Sequence, residues 1–248
     1  MPSALPEGEP APADGALPAS ALAGVGSRPF GIYVHVPFCA TRCGYCDFNT
    51  YTPGELGTSA SPESWLEGLR RELDLAASVL GSPPLAETVF VGGGTPSLLG
   101  ASGLSDVLDA VRSSFGLAPG AEVTTESNPE STSVPFFEGI RSAGYTRVSL
   151  GMQSAARHVL AVLDRKHTPG RPGEAALEAR KAGFEHVNLD LIYGTPGEGA
   201  DDFAASLAAV TGAGVDHVSA YAETWSTPAA STASRDASRS SSRSPGVP

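Results

Sequence analysis

Hydrophobic positions along the chain follow two alternating periods. Short runs rich in β-branched residues, such as 31–36, carry an apolar residue at every second position. Longer segments follow in which apolar residues recur every three or four positions, as at Trp65 and Leu69 within 61–80. The first period is typical of strands and the second of amphipathic helices.

The alternation occurs six times along the chain. Strands are predicted at 31–36, 87–91, 121–126, 145–150, 186–192 and 216–222. Helices are predicted at 61–80, 102–115, 134–143, 155–163, 173–182 and 201–210. Because strands that alternate with helices form parallel sheets, we expect an α/β fold, either a barrel or a doubly wound sheet.

Both ends of the chain lack this rhythm. Residues 1–27 are rich in Pro, Ala and Gly, whereas residues 223–248 are rich in Ser and Arg. Segments of this composition bury too little apolar surface to offset the entropy of ordering them. We therefore predict a disordered N-terminal lead at 1–27, a core domain at 28–222 and a low-complexity tail at 223–248.

Charge and hydropathy exclude several classes of partner. The 248 residues carry a formal net charge of −11, which disfavours binding to nucleic acid and anionic membranes. No apolar run is long enough to span a bilayer, so membrane contact is expected only through a partner. The first residues lack the basic start and compact apolar segment of a secretory signal, and a cytoplasmic location is predicted.

All three cysteines lie in one short loop, Cys39, Cys43 and Cys46, directly after the first predicted strand. An odd, tightly spaced set cannot form a disulfide framework. Three thiolates can bind three irons of a cubane cluster and leave the fourth iron open. We interpret the loop as a [4Fe–4S] site. The alternatives are a zinc site with His35 as fourth ligand and three unligated thiols.

Other polar residues lie at the ends of successive predicted strands. A glycine run at 92–96 ends the second strand, Glu126 the third and Gln153 the fourth, and Asp190 lies within the fifth. The reactive face of a parallel barrel is formed by the carboxyl ends of its strands. These residues and the cysteine loop are therefore predicted to share one site.

Residues 33–39 (YVHVPFC) and 43–48 (CGYCDF) resemble the radical S-adenosylmethionine (SAM) family. Within it they are similar to the branch of oxygen-independent coproporphyrinogen III oxidase and the haem chaperone HemW, over about residues 31–222. The resemblance implies a partial TIM-like (β/α)6 radical SAM barrel. It also implies a [4Fe–4S] cluster on the three cysteines and reductive cleavage of SAM to methionine and a 5′-deoxyadenosyl radical.

The resemblance also assigns the SAM site, with the glycine loop at the methionine amino group and Arg165 at its carboxylate. The residues it implies are Tyr33, Tyr45, Gly93, Gly94, Thr95, Glu126, Gln153, Arg165 and Asp190. Each assignment has an alternative. The glycine loop could be an ordinary turn, the two tyrosines could be packing residues, and the charged residues could lie on the surface or at helix ends. No catalytic residue is predicted.

One position separates two functions within this branch. The oxidase has a fourth cysteine two residues after the third, where this chain has Phe48. The resemblance therefore favours a chaperone that binds haem or a porphyrin and delivers haem to recipient haemoproteins. The alternatives are the oxidase itself, which acts in porphyrin biosynthesis, and an inactive C-terminally truncated fragment.

The end of the sequence departs from the family pattern. Relatives continue past the sixth strand into a C-terminal domain with a His-Asn-x-x-Tyr-Trp motif, which does not occur here. We therefore predict a C-terminal truncation near residue 222 and weak or absent haem binding. The histidines show no metal-ligand spacing and are predicted to be structural or solvated, although an exposed one could ligate haem: His35, His158, His167, His186 and His217.

Overall fold

A computed structural model describes residue 12 and residues 15–55 and 61–223. Within these ranges one parallel sheet contains six strands in the order in which they occur along the chain. The strands are β1 Gly31–Val36, β2 Ala86–Gly93, β3 Leu117–Ser127, β4 Arg147–Gln153, β5 His186–Tyr193 and β6 His217–Ala222.

The strand order decides between the two predicted architectures. A doubly wound sheet reverses its strand order at a switch point, whereas here each strand pairs with its neighbours in sequence. Crossovers between parallel strands are right-handed, so consecutive winding places the connecting helices on one face. The fold is a partial (β/α)6 barrel, as the resemblance implied.

The helices follow the predicted positions closely. The described ranges contain α1 Ala19–Leu22, α2 Pro62–Leu80, α3 Gly100–Ser114, α4 Val134–Ala143, α5 Arg157–Val162, α6 Arg171–Lys181 and α7 Ala200–Gly212. Ser61 caps α2, where its side chain accepts from the Ser64 amide. Gly144 ends α4 in the left-handed conformation with φ 114°, which favours glycine.

Side chains along each strand alternate between a face of the sheet that the helices cover and an inner face. Val34 and Val36 of β1, and Val187 and Leu189 of β5, are buried in the core between sheet and helices. The intervening side chains point to the opposite side, because successive residues of a strand face opposite ways. We call this side the inner face; it carries Tyr33, His35, Glu126, Ser149, Asn188, Asp190, Ser219 and Tyr221.

Two strands extend beyond their predicted bounds for reasons of pairing. β3 begins at Leu117 because this residue pairs with Ala86 before a shift of register near Thr88. β4 continues to Gln153, which pairs with Leu191 after a second irregularity. Sequence periodicity carries no signal for either shift, since both depend on the neighbouring strand.

The chain ends are described only in part. Of the predicted disordered lead, residues 1–11, 13 and 14 lie outside the described residues, and the described part includes the exposed helix α1. The predicted tail from residue 224 onward also lies outside them. None of the helices in the described ranges combines the length and apolar character that crossing a bilayer requires.

Candidate functional site

A cavity of about 550 Å³ opens at the carboxyl ends of the strands. This volume lies within the range of ligand sites. Eleven of the residues named from the sequence line it: Cys39, Cys43, Tyr45, Cys46, Gly93, Gly94, Thr95, Glu126, Gln153, Arg165 and Asp190. The predicted convergence of strand ends therefore occurs, and it includes the cysteine loop.

The cysteine loop is held at several points. The Cys39 amide donates to the Tyr51 carbonyl at 3.0 Å, and the Tyr51 amide donates back to Pro37 at 2.8 Å. The Gly44 amide donates to Leu163 at the end of α5, at 3.0 Å. These backbone bonds close the loop and fix it against a distant part of the chain.

Each thiol has a polar neighbour from a different direction, and all three cysteines are free. The Thr95 hydroxyl donates to Cys39 Sγ at 3.8 Å, and Arg165 Nη1 donates to Cys43 Sγ at 3.4 Å. Cys46 Sγ lies 3.9 Å from the Thr50 hydroxyl. Burial raises the pKa of the Cys39 thiol. Donors and a cation at the sulfurs would favour bound thiolates.

The donor set fits a cluster better than a single ion. Among the described residues, no three His, Cys, Asp or Glu side chains converge closely enough to hold one metal ion. His35, the fourth ligand of the zinc alternative, has both ring nitrogens in hydrogen bonds, to the Tyr33 hydroxyl at 3.0 Å and the Asn49 carbonyl at 2.9 Å. Three separated thiols suit one thiolate per iron.

The glycine run packs against the cysteine loop. A Cβ on Gly94 would lie 2.6 Å from the Phe38 carbonyl oxygen and 2.9 Å from Cys39 Sγ. The Gly94 amide donates to Val36 at 2.7 Å, and the Thr95 amide donates to Phe38 at 2.7 Å. Glycine is therefore needed here for close backbone approach, and the run positions the first cysteine.

Glu126 reaches from β3 to the same glycine run. Its Oε2 accepts from the Gly93 amide at 3.0 Å. The pKa of Glu126 is raised to about 7, because burial and the nearby Asp190 charge raise it by more than the Gly93 hydrogen bond lowers it. This carboxyl can therefore exchange a proton near neutral pH.

Asp190 lies in a polar network on the inner face. Ser149 donates to its carboxylate at 3.1 and 3.2 Å, and Asn188 Nδ2 donates to it at 2.7 Å. Ser219 in turn donates to the Asn188 side-chain oxygen at 3.2 Å. Burial raises the pKa of Asp190, while these hydroxyl and amide donors oppose the shift. Three strands thus fix one carboxylate at the cavity wall.

Gln153 and Arg165 pack together beside Gly151. A Cβ on Gly151 would lie 2.8 Å from Gln153 Nε2 and 3.2 Å from Arg165 Nη2. Arg165 Nη2 donates to the Gly151 carbonyl at 3.4 Å. Only a residue without a side chain leaves room for both polar groups at this wall.

The two predicted tyrosines differ in position. Tyr45 lines the cavity and packs against Val159, Leu163 and Ile192, and burial raises its pKa. Tyr33 is 59% exposed on the inner face and does not line the cavity, although its hydroxyl bonds His35.

Sequence reasoning missed several polar residues at this site. Ser149 and Tyr221 line the cavity, and Asn188 and Ser219 complete the Asp190 network. The available signal was a polar residue at every second position of strands that are otherwise apolar, most clearly Asn188 and Asp190 in β5. His167 was also missed; it lies against Arg165, which the sequence does not indicate.

Comparison with known proteins identifies the family. The model of the radical SAM superfamily matches residues 33–210, which include the cysteine loop, most of β1 and the whole of β2 to β5. The chain belongs to the radical SAM superfamily. Membership implies a [4Fe–4S] cluster and SAM as cofactors.

Two curated relatives carry the same name. The haem chaperone HemW of Mycobacterium tuberculosis (strain ATCC 25618 / H37Rv) is 65% identical over 201 residues, covering 81% of this chain and 51% of the relative. HemW of Escherichia coli (strain K12) is 33% identical over 193 residues, covering 78% and 50%. The radical SAM chain thus spans about half the length of these relatives.

A solved structure supports the fold. The coproporphyrinogen III oxidase HemN from Escherichia coli, described as a radical SAM enzyme, superposes with a TM-score of 0.73 at 27% identity. The match covers 83% of this chain and 46% of the oxidase. The six-stranded partial barrel of the radical SAM chain is thus shared with a solved member of the superfamily.

Proposed function

We propose that this radical SAM chain holds an open [4Fe–4S] cluster and SAM in the strand-end cavity and acts as a haem chaperone. The observation that carries the proposal is the convergence of three free cysteines with Glu126 and Asp190 on one cavity. In this proposal Cys39, Cys43 and Cys46 each bind one iron. Thr95 and Arg165 donate to the sulfurs of Cys39 and Cys43, and the Thr50 hydroxyl contacts the sulfur of Cys46.

The proposed SAM site uses the remaining lining residues. Arg165 would pair with the methionine carboxylate, and Asp190 and Glu126 would accept from hydroxyl or amino groups of the cofactor. When bound, the reduced cluster supplies the electron that cleaves the sulfonium carbon–sulfur bond. The chain's own part is to hold both cofactors in one cavity and to fix their polar groups through the Asp190 network and Gly151 carbonyl.

Two observations favour the chaperone over the oxidase. The curated relatives at 65% and 33% identity are both named haem chaperone HemW. The position of the oxidase's fourth cysteine holds Phe48, which is 62% exposed at the cavity. We propose haem as the ligand and haemoproteins as the recipients. We also propose that the protein is cytoplasmic, that it has no nucleic-acid partner, and that it contacts membranes only through a partner.

The cluster is tested by anaerobic reconstitution. We expect about four irons and four sulfides per chain, as an open cubane requires. Cys43→Ala should lose the cluster, whereas Thr41→Ala, an exposed neighbour in the same loop, should keep it. Stoichiometric zinc without sulfide would contradict the proposal.

SAM binding is tested on the reconstituted protein with dithionite. We expect release of 5′-deoxyadenosine and weaker SAM binding by Arg165→Ala and Asp190→Ala, because each change leaves a polar partner unpaired. Unchanged affinity in both variants would show that these positions are wrongly assigned.

The choice between chaperone and oxidase is tested by the ligand. The reconstituted chain is incubated anaerobically with haem and, separately, with coproporphyrinogen III. We expect at most a weak haem absorption band, because the family's C-terminal haem motif does not occur in the sequence, and the bound haem should pass to an apo-haemoprotein acceptor. Decarboxylation of coproporphyrinogen III without haem transfer would support the oxidase instead.

A further inference from the structure

Arg165 uses only part of its hydrogen-bonding capacity within the protein. A guanidinium carries five N–H groups. Nε donates to His167 Nε2 at 3.1 Å, Nη1 to Cys43 Sγ at 3.4 Å and Nη2 to the Gly151 carbonyl at 3.4 Å. One N–H therefore remains on each terminal nitrogen. Two such groups match the two oxygens of a carboxylate.

The protonation of His167 follows from this contact. Arginine can only donate, so the ring nitrogen Nε2 of His167 must accept and the proton must lie on Nδ1. Within the described residues Nδ1 makes no hydrogen bond of strict geometry, but the Met152 backbone is close enough to the ring to raise its pKa. Burial, and then the Arg165 charge, lower the pKa of His167 to about 4, so the ring is neutral at pH 7.

The segment that carries both residues is fixed from the other side. Glu130, just after β3, accepts from the Thr168 amide at 2.7 Å and from the Thr168 hydroxyl at 3.1 Å. This pair of bonds anchors the backbone one residue beyond His167. The imidazole is thus attached to a segment with little freedom to move.

Arg165 borders a second, outer cavity as well as the strand-end cavity. The outer cavity, of about 750 Å³, is lined by Asp164 and His167 and by the cations Arg157 and Lys166, and Glu130 lines both cavities. The Asp164 carboxylate there offers an alternative partner to a long, flexible cation. The acceptor that binds Nε of Arg165 therefore determines which of the two cavities the guanidinium faces.

We propose that His167 is a positioning residue that holds the Arg165 guanidinium toward the strand-end cavity, so that its two remaining N–H groups pair with the cofactor carboxylate. This inference rests on the proposed function, since it needs SAM in that cavity. It adds a residue that touches neither cluster nor cofactor. Loss of the Nε acceptor frees the guanidinium to turn toward Asp164 in the outer cavity.

The experiment compares three variants of the 248-residue chain. His167→Ala removes the acceptor, and His167→Gln restores one through its side-chain oxygen. His158→Ala is the matched control, because His158 is an exposed imidazole that pairs with Asp202 away from the cavity. SAM affinity and the KM and kcat for 5′-deoxyadenosine release are measured after reconstitution, with iron content and thermal midpoint for each variant.

We expect His167→Ala to bind SAM about tenfold more weakly, with most of the loss in KM and the iron content kept. His167→Gln should recover most of the affinity, and His158→Ala should match the wild type. A fold defect would lower the thermal midpoint of both His167 variants alike and give no recovery by Gln, which would overturn the proposal.

A second measurement needs no cofactor. Nitrogen-15 NMR of the metal-free chain distinguishes a protonated from an unprotonated ring nitrogen, and we expect Nε2 of His167 unprotonated at pH 7. A protonated Nε2 overturns the positioning proposal at once. A wild type that binds no SAM overturns the proposed function and this inference together, whereas normal SAM binding by His167→Ala overturns this inference alone.

Discussion

Gln153 and Asp164 are the two non-glycine residues with positive φ in the described ranges, at 70° and 49°. A non-glycine residue in this backbone conformation destabilises the fold by about 1–3 kcal/mol, and the conformation persists only where the surrounding structure fixes it. Gln153 lies where β4 ends at the cavity, and Asp164 directly precedes Arg165. Both strained residues therefore adjoin the proposed SAM site, which indicates that the conformation serves the site.

Gly151→Ala should weaken SAM binding without removing the cluster. The new Cβ would press on Gln153 Nε2 and Arg165 Nη2, at 2.8 and 3.2 Å, and displace both polar groups. We expect about a tenfold loss of affinity. Equilibrium binding to the reconstituted protein measures it.

The control for this change is Gly68→Ala in α2, where a Cβ meets nothing within 4 Å. Alanine there should raise stability by up to about 1 kcal/mol and leave SAM affinity unchanged. Equal affinities for both alanine variants would contradict the packing argument.

Glu126 makes the metal-free chain less stable as pH rises. An unfolded glutamate titrates near about 4.3. The folded pKa is about 7, so between these values the folded chain holds a proton that the unfolded chain releases. The contribution of this group is fully present below about pH 4.3 and is lost as pH rises through 7.

Glu126→Gln should therefore gain stability relative to the wild type from pH 5 to pH 8, approaching about 3 kcal/mol. Urea denaturation of the metal-free protein across this range measures the difference. Glu87→Gln, on the exposed face of β2, should show no such trend. If the free energy of unfolding varies with pH in the same way for the wild type and Glu126→Gln, the prediction is refuted.

At the scale of elements, β4, β5 and β6 act as one unit on the inner face. Asn188 is fully buried and links Ser149, Asp190 and Ser219 across these strands. The bonds from Asn188 to Ser149 and Ser219 join residues that are 39 and 31 positions apart in sequence. The strands therefore place the carboxylate by cross-strand register rather than by loop conformation.

Asn188→Ala should lower both stability and SAM affinity. It removes a donor to the buried Asp190 carboxylate and leaves that group undersatisfied, at a cost of about 1–3 kcal/mol. Chemical denaturation and SAM titration measure the two effects. A variant with wild-type values in both would show that Ser149 alone satisfies Asp190.

Much of this arrangement follows from the sequence. The spacing of apolar residues predicted all six strands, and the bounds of β1 and α4 agree with the predicted ones. The inner-face network could not be predicted, because Ser149 and Asp190 meet only through strand register. The Arg165–His167 contact was likewise hidden, since spacing of two in a loop fixes no side-chain direction.

At the scale of the whole molecule, β6 is an edge strand of the sheet that the structure describes. Within the described ranges β6 pairs with β5 alone, and Val218 and Tyr221 on it are 41% and 59% exposed. Unpaired strand edges promote pairing with another chain. This feature predicts self-association.

Val218→Lys should reduce self-association, because a charge on an edge strand opposes strand addition. Analytical ultracentrifugation across a concentration series measures the change. The control is Leu177→Lys on the exposed face of α6, which adds the same charge away from the edge. A wild type that stays monomeric at all concentrations would contradict the prediction.

Because the strands pair in chain order, parts of the fold can form one after another while the chain is being synthesised. Each βα unit can pack on its predecessor as it leaves the ribosome. However, the contact between Cys43 and Arg165 spans 122 residues, which take about 10 s to translate. During that interval the Cys43 thiol is on a nascent chain that lacks the Arg165 guanidinium. Oxidation of Cys43 in this window would therefore precede the contact that stabilises its thiolate in the folded protein.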